Sequence, residues 1–131
     1  MKERIDKEVE LLRQHFSNLE YRADGQWVRI PAYALPSGWA PQVCDVVFQI
    51  PTAFPGTPPY GFYVPAGLRY NGQTPASYTE PASTQPPFAG SWGFFSWSIT
   101  GWRPTAKPDP VRGYSLLSWS KGFMSRFQEG A

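Results

Sequence analysis

Four hydroxyl side chains, Ser91, Ser96, Ser98 and Thr100, fall within one short aromatic stretch, Ser91 to Pro104. Ser96 and Ser98 alternate with Phe95, Trp97 and Ile99, so an extended backbone turns both serines to one side and the three apolar groups to the other. Hydroxyls set out in this way are candidates to accept an acyl group as an oxyester. A serine is a poor nucleophile near neutral pH and needs a neighbouring base or an oxyanion site to activate it. Asp109 is the nearest downstream carboxylate, a candidate to act as that base or to orient an incoming lysine. The plainer alternative is that these serines satisfy strand or turn backbone.

The other reactive side chains fit such a site less well. Cys44 is the single cysteine, and it shares a strand face with Val46, Phe48 and Ile50. Free cysteine packs as a small hydrophobe, so that spacing predicts a core thiol. His15, the single histidine, sits beside Phe16 on the first predicted helix, where a packed or solvated ring is expected. The sequence has no Cys/His cluster and no glycine-rich phosphate loop, which predicts no metal and no nucleotide or flavin cofactor.

The chain that must position these groups has 131 residues, enough for one domain with one core. Hydrophobic residues make up 41% and charged residues 17%, a balance that predicts a folded chain rather than a disordered one. A formal charge of +2 argues against nucleic acid or an anionic membrane as partner. Met1 leads straight into Lys-Glu-Arg-Ile-Asp-Lys-Glu, which predicts no signal peptide, and one cysteine cannot form an internal disulfide. A reducing cytoplasm is the expected compartment.

Ile5, Val9, Leu12, Phe16 and Leu19 recur at three- and four-residue steps and predict an amphipathic helix from Lys2 to Leu19. Asp24-Gly25 predicts a tight turn, and strands are expected over Gln26–Tyr33, Val43–Ile50 and Tyr60–Val64. Pro36 to Pro41 reads as a loop. Residues 73–90, rich in Pro, Ser, Thr and Ala and without a period, read as a long surface flap. Arg112 to Gln128 reads as a second helix with Leu116, Leu117, Phe123, Met124 and Phe127 on its stripe. Helix, antiparallel strands, irregular flap and helix make an α+β layer arrangement.

Between the second and third strands lies Pro51-Thr52-Ala53-Phe54-Pro55-Gly56-Thr57-Pro58-Pro59, a stiff turn that cannot join a sheet ladder. Helix, meander and a proline turn ending in Pro-Pro resemble the ubiquitin-conjugating enzyme (UBC) superfamily over nearly the whole chain. Asn71 falls twelve residues past Pro59, where family members carry the Asn of a His-Pro-Asn motif, and Trp102-Arg103-Pro104 resembles the family's Trp-x-Pro. Phe95-Ser96-Trp97-Ser98-Ile99 is similar to a run found in a prokaryotic branch. The resemblance implies a UBC-like domain spanning 1–131, with 73–90 as an insertion. It also implies a place in bacterial ubiquitin-like conjugation, beside an activating-enzyme-like adenylating protein, a ubiquitin-like modifier and a metallopeptidase that trims it. Defence against phage is a role proposed for relatives. Asn71 would then donate to a developing oxyanion, as its family counterpart does. In UBC enzymes the first helix docks the activating enzyme, which makes the charged face of Lys2, Arg4, Lys7 and Arg13 a partner surface.

The departures are equally specific. Arg69-Tyr70 stands where His-Pro would stand, and Trp102 lies 31 positions past Asn71. No cysteine lies between them. The expectation is therefore either transfer through a serine oxyester, with Ser96, Ser98, Asn71 and Asp109 as the site, or a non-catalytic UBC-like adaptor for the modifier or its activating enzyme. An aromatic-rich β module for sugars or prolines is a third reading, motivated by six Trp.

Overall fold

The computed structural model describes residues 2–54, 56–97, 116, 119, 120 and 126–128. The first element, α1 (Lys2–His15), buries Ile5, Val9 and Leu12 on one stripe. It stops short of Leu19, where the sequence pattern would carry it. Ser17 and Asn18 favour turns over helix interior, and Leu19 reaches the core from a turn closed by its N–H on the Phe16 carbonyl (3.1 Å).

Among the described residues eight strands follow: β1 (Glu20–Arg22), β2 (Trp27–Ala34), β3 (Trp39–Ala40), β4 (Val43–Gln49), β5 (Phe62–Pro65), β6 (Arg69–Tyr70), β7 (Tyr78–Thr79) and β8 (Trp92–Phe95). Six of them form one sheet in the order β1-β2-β4-β5-β8-β7, antiparallel at every pairing. The other two, β3 and β6, pair with each other in a small second sheet. The fold is thus α+β, with an N-terminal helix, an antiparallel sheet and a short C-terminal helix to which Leu116, Trp119, Ser120 and residues 126–128 belong. Within the predicted second helix, Leu117, Phe123 and Met124 lie outside the described residues.

One face of the main sheet builds the core. Val28, Ile30, Val46, Phe48, Phe62, Val64 and Phe95 pack with Ile5, Val9 and Leu12 of α1 and with Leu116, Trp119 and Phe127. Each such aliphatic or aromatic side chain contributes on the order of 1.5–3 kcal/mol when fully removed from water. A buried carboxylate joins the two helical segments: Glu8 pairs with Arg4 at 2.7 Å and accepts the Leu116 N–H at 2.7 Å. Burial outweighs these partners and pushes the Glu8 carboxyl above its usual range.

Strand β2 carries a bulge between Ile30 and Tyr33. Pro31 has no N–H to give the ladder, and Ala32 takes a φ of 53° while its N–H donates to Asp45 Oδ1 at 3.1 Å. The proline turn folds inward: Phe54 is fully buried, and its N–H donates to the Pro51 carbonyl. Two sequence expectations are corrected. Within Pro36–Pro41, read as loop, Trp39–Ala40 form β3, because Trp39 packs into the core and its neighbours find β6 across the fold. Within 73–90, read as an irregular flap, Tyr78–Thr79 pair with Phe95 and Phe94 and close the sheet edge. Neither pairing has a local sequence signal.

Candidate functional site

The sequence places the candidate chemistry at the end of β8. Ser96 follows Phe95 there, with its N–H donating to the Ser77 carbonyl at 2.8 Å. On the other side, the Gly61 N–H donates to the Trp97 carbonyl at 2.6 Å. The backbone is therefore held between β7 and β5 even past the last strand residue. Phe95 is buried against Phe62, Trp39 and Phe127, and Trp97 packs on Trp119 at 5.5 Å. With those two rings turned to the core, Ser96 is exposed on the opposite, outer side. The expected split between serine side and apolar side holds for residues 95–97. Ser98, Ile99, Thr100, Trp102–Pro104 and Asp109 lie outside the described residues.

Gly61 explains why this edge is so close-packed. Its φ is 70°, and a Cβ there would lie 2.2 Å from Phe94 Cζ and 2.5 Å from the Phe95 carbonyl oxygen. Only glycine lets the end of the proline turn approach β8 this closely.

Asn71 has a different setting. Tyr70 and Gln73 exchange N–H···O bonds at 2.9 Å in both directions, which makes Asn71-Gly72 a two-residue hairpin turn. The φ values of 49° and 80° are those of a type I′ turn, for which Asn-Gly is a favoured pair. The Asn71 N–H donates to the Gly38 carbonyl at 2.7 Å. Turn geometry accounts for an Asn at this position without any catalytic role. Tyr70 stacks on Trp39 (5.2 Å), and Trp39 meets Phe95 from the core side (6.2 Å). Asn71, itself exposed at the hairpin tip, thus extends from the β3–β6 layer on the core side, while Ser96 opens outward. No hydrogen bond joins them among the described residues.

Cys44 is 6% exposed, inside the core cluster, and burial pushes its thiol up to about 12. Neighbouring Tyr33 is likewise pushed up to about 12 by burial. His15 is exposed and edge-on to Phe16 at 5.1 Å, at the mouth of a cleft of about 330 Å³ against Ile30–Ala34. It is remote from Ser96, on the far side of β4 and β5.

Two features were not legible as sites. Glu80 accepts from Arg69, from the Gly67 N–H at 2.7 Å and from the Tyr78 hydroxyl at 2.9 Å, and the Arg69 hydrogen bond leads in holding its carboxyl down at about 2. This cluster anchors the start of the 80–90 segment. A signal existed, since Glu80 is the one charged residue between Gly72 and Gly90. The second feature is a ladder across the outer face, in which directly paired residues run Thr79, Phe94, Tyr63, Val47, Arg29 and Glu20 over six strands. Residues 80–90 cross that ladder, with Phe88 packed on the Trp27, Val47 and Trp92 cluster. They leave a cleft on each side, one of about 190 Å³ at Tyr63 and Phe94 and one of about 290 Å³ at Arg22 and Arg29.

Among the described residues, no group of His, Cys, Asp and Glu could hold a metal ion, and no helix is long and apolar enough to cross a membrane. Comparison with protein-family models, with curated proteins and with solved structures finds no match for this chain.

Proposed function

We propose that this protein is a UBC-like binding component of a bacterial ubiquitin-like conjugation pathway, one that docks the modifier or its activating-enzyme-like partner and carries no thioester. The carrying observation is the separation of the groups a transfer site would gather. The one thiol is sealed in the core, Ser96 opens on the outer face, and Asn71 is the corner of a hairpin in the core-side layer. The element order supports the family part of the reading. An N-terminal helix covers an antiparallel meander, β1-β2-β4-β5, interrupted by β3, with the proline turn between its last two strands. The solvent face of α1 presents Asp6, Lys7, Glu10 and Arg13, all exposed, as the docking surface.

The test is incubation with an activating-enzyme-like adenylating protein, its ubiquitin-like modifier and ATP, read by intact mass and by binding. The expected result is a non-covalent complex, unmodified mass, and binding weakened about tenfold by the double charge reversal Lys7→Glu/Arg13→Glu. A covalent adduct on this chain would refute it.

A second reading, transfer through a serine oxyester, is favoured by one observation: Ser96 is exposed on a main chain fixed from both sides. It requires an adduct that hydroxylamine cleaves and thiols do not, and that disappears in Ser96→Ala/Ser98→Ala. Asp109 enters that reading as base, and the oxyanion donor is a group other than Asn71, whose hairpin lies on the core side.

A further inference from the structure

The smaller outer cleft has a chemistry that neither docking nor transfer uses. Its floor is two adjacent cross-strand rings, Tyr63 and Phe94, with centroids 4.9 Å apart. Its rim carries three hydroxyls: Thr79 from β7, and Ser83 and Thr84 from the segment that crosses the sheet. Those three side chains are exposed, and none makes a hydrogen bond among the described residues. Their donors and acceptors are therefore open to a ligand. Ala82 completes the lining, which contains no charged group; Glu80, next to Thr79 in sequence, is engaged by Arg69, Gly67 and Tyr78. The row of rings continues outward, since Tyr60, 63% exposed, packs on Phe94 at 6.2 Å.

A ligand complementary to this lining needs apolar C–H faces to lie on the rings, several hydroxyls to meet the rim, and no charge. Ions are disfavoured because nothing here would compensate them. A purely apolar ligand would bury the three hydroxyls unpaired, at a cost. A volume of about 190 Å³ suits one small ring with its substituents rather than a folded partner. The geometry points to a binding site for a neutral polyhydroxylated ligand, a sugar unit, seated on Tyr63 and Phe94 with Thr79, Ser83 and Thr84 as its hydrogen-bonding rim. The rings are held in register by β5 and β8, and the close approach of Gly61 to the Phe94 ring limits its movement, so the floor is formed before any ligand arrives. The rim is held by Gln85, whose side chain bonds the Ala82 and Trp92 carbonyls and the Trp92 N–H at 3.0–3.1 Å.

The experiment is NMR titration of the whole protein with a panel of neutral sugars: hexoses, pentoses, N-acetylhexosamines and their disaccharides. At least one member binds saturably with a Kd of about 1 mM or tighter, and the shifted resonances centre on Tyr63, Thr79, Thr84 and Phe94. Thr84→Val and Ser83→Ala, both at exposed positions and checked for unchanged circular dichroism, each weaken binding roughly two- to tenfold, the range for one hydrogen bond. Phe94→Leu weakens it further. The assignment is overturned if no panel member saturates, if the shifts map elsewhere, or if both rim variants bind as wild type. It is also overturned if a proline-rich peptide takes the cleft and sugars do not compete.

Discussion

Thiol reactivity gives the sharpest test of the claim that this chain does no thioester chemistry. The perturbation is alkylation of Cys44 by iodoacetamide, in the native protein and in urea. Only the thiolate reacts. Burial, with Asp45 as a lesser cause, moves the Cys44 thiol from its ordinary 9 to about 12, so at neutral pH the native thiolate population falls about a thousandfold below the unfolded one. At 6% exposure the sulfur is also out of reach without local opening, which lowers the rate again. Native labelling, followed by intact mass, should therefore run at least about a thousandfold slower than labelling in urea. Its pH dependence separates the two causes. The native rate should climb about tenfold per pH unit beyond pH 9, while the unfolded rate levels off there. Folding raises the pKa, so the fold is unaffected by this group below pH 9 and loses stability as pH rises toward 12. A native rate within about tenfold of the unfolded rate would overturn the account, and so would loss of modifier binding in Cys44→Ala with the fold intact.

Other predictions follow from particular contacts. Gly61→Ala should lower stability by roughly 2 kcal/mol or more, measured by urea unfolding, since it combines a strained φ with a clash on Phe94 and the Phe95 carbonyl. Glu8→Ala should cost roughly 3 kcal/mol by leaving Arg4 and the Leu116 N–H without their shared carboxylate. In the wild type, the raised Glu8 carboxyl should make its own contribution to stability improve as pH falls toward 4.5, a component that Glu8→Gln removes from the pH–stability profile. Glu80→Gln should speed proteolysis within 81–90. The loss should be plain at pH 7 and fade as pH falls from 4.5 toward 2, because the lowered Glu80 pKa gives stabilisation above its unfolded value.

Elements with a short period were legible along the chain. The 3.6-residue stripe of Ile5, Val9 and Leu12 and the two-residue alternation of Cys44, Val46, Phe48 and Ile50 each name one buried face, and burial follows them. The α+β class and the core position of Cys44 follow from those periods alone. The alternation of Phe95, Ser96 and Trp97 likewise set which way Ser96 opens. How distant segments meet was settled by the packing of the whole chain. The pairing of β3 with β6, the crossing of 80–90 over the outer face and the contact of Glu8 with Leu116 join residues far apart in sequence, and no local pattern encodes them. The same holds for the candidate site. Ser96 and Asn71 can be chosen by type and spacing, yet whether they converge depends on which side of the sheet each one faces. An alternating strand sends Ser96 outward, and a type I′ turn sets Asn71 at the tip of the β6 hairpin, and neither placement relative to the other follows from residue type and spacing.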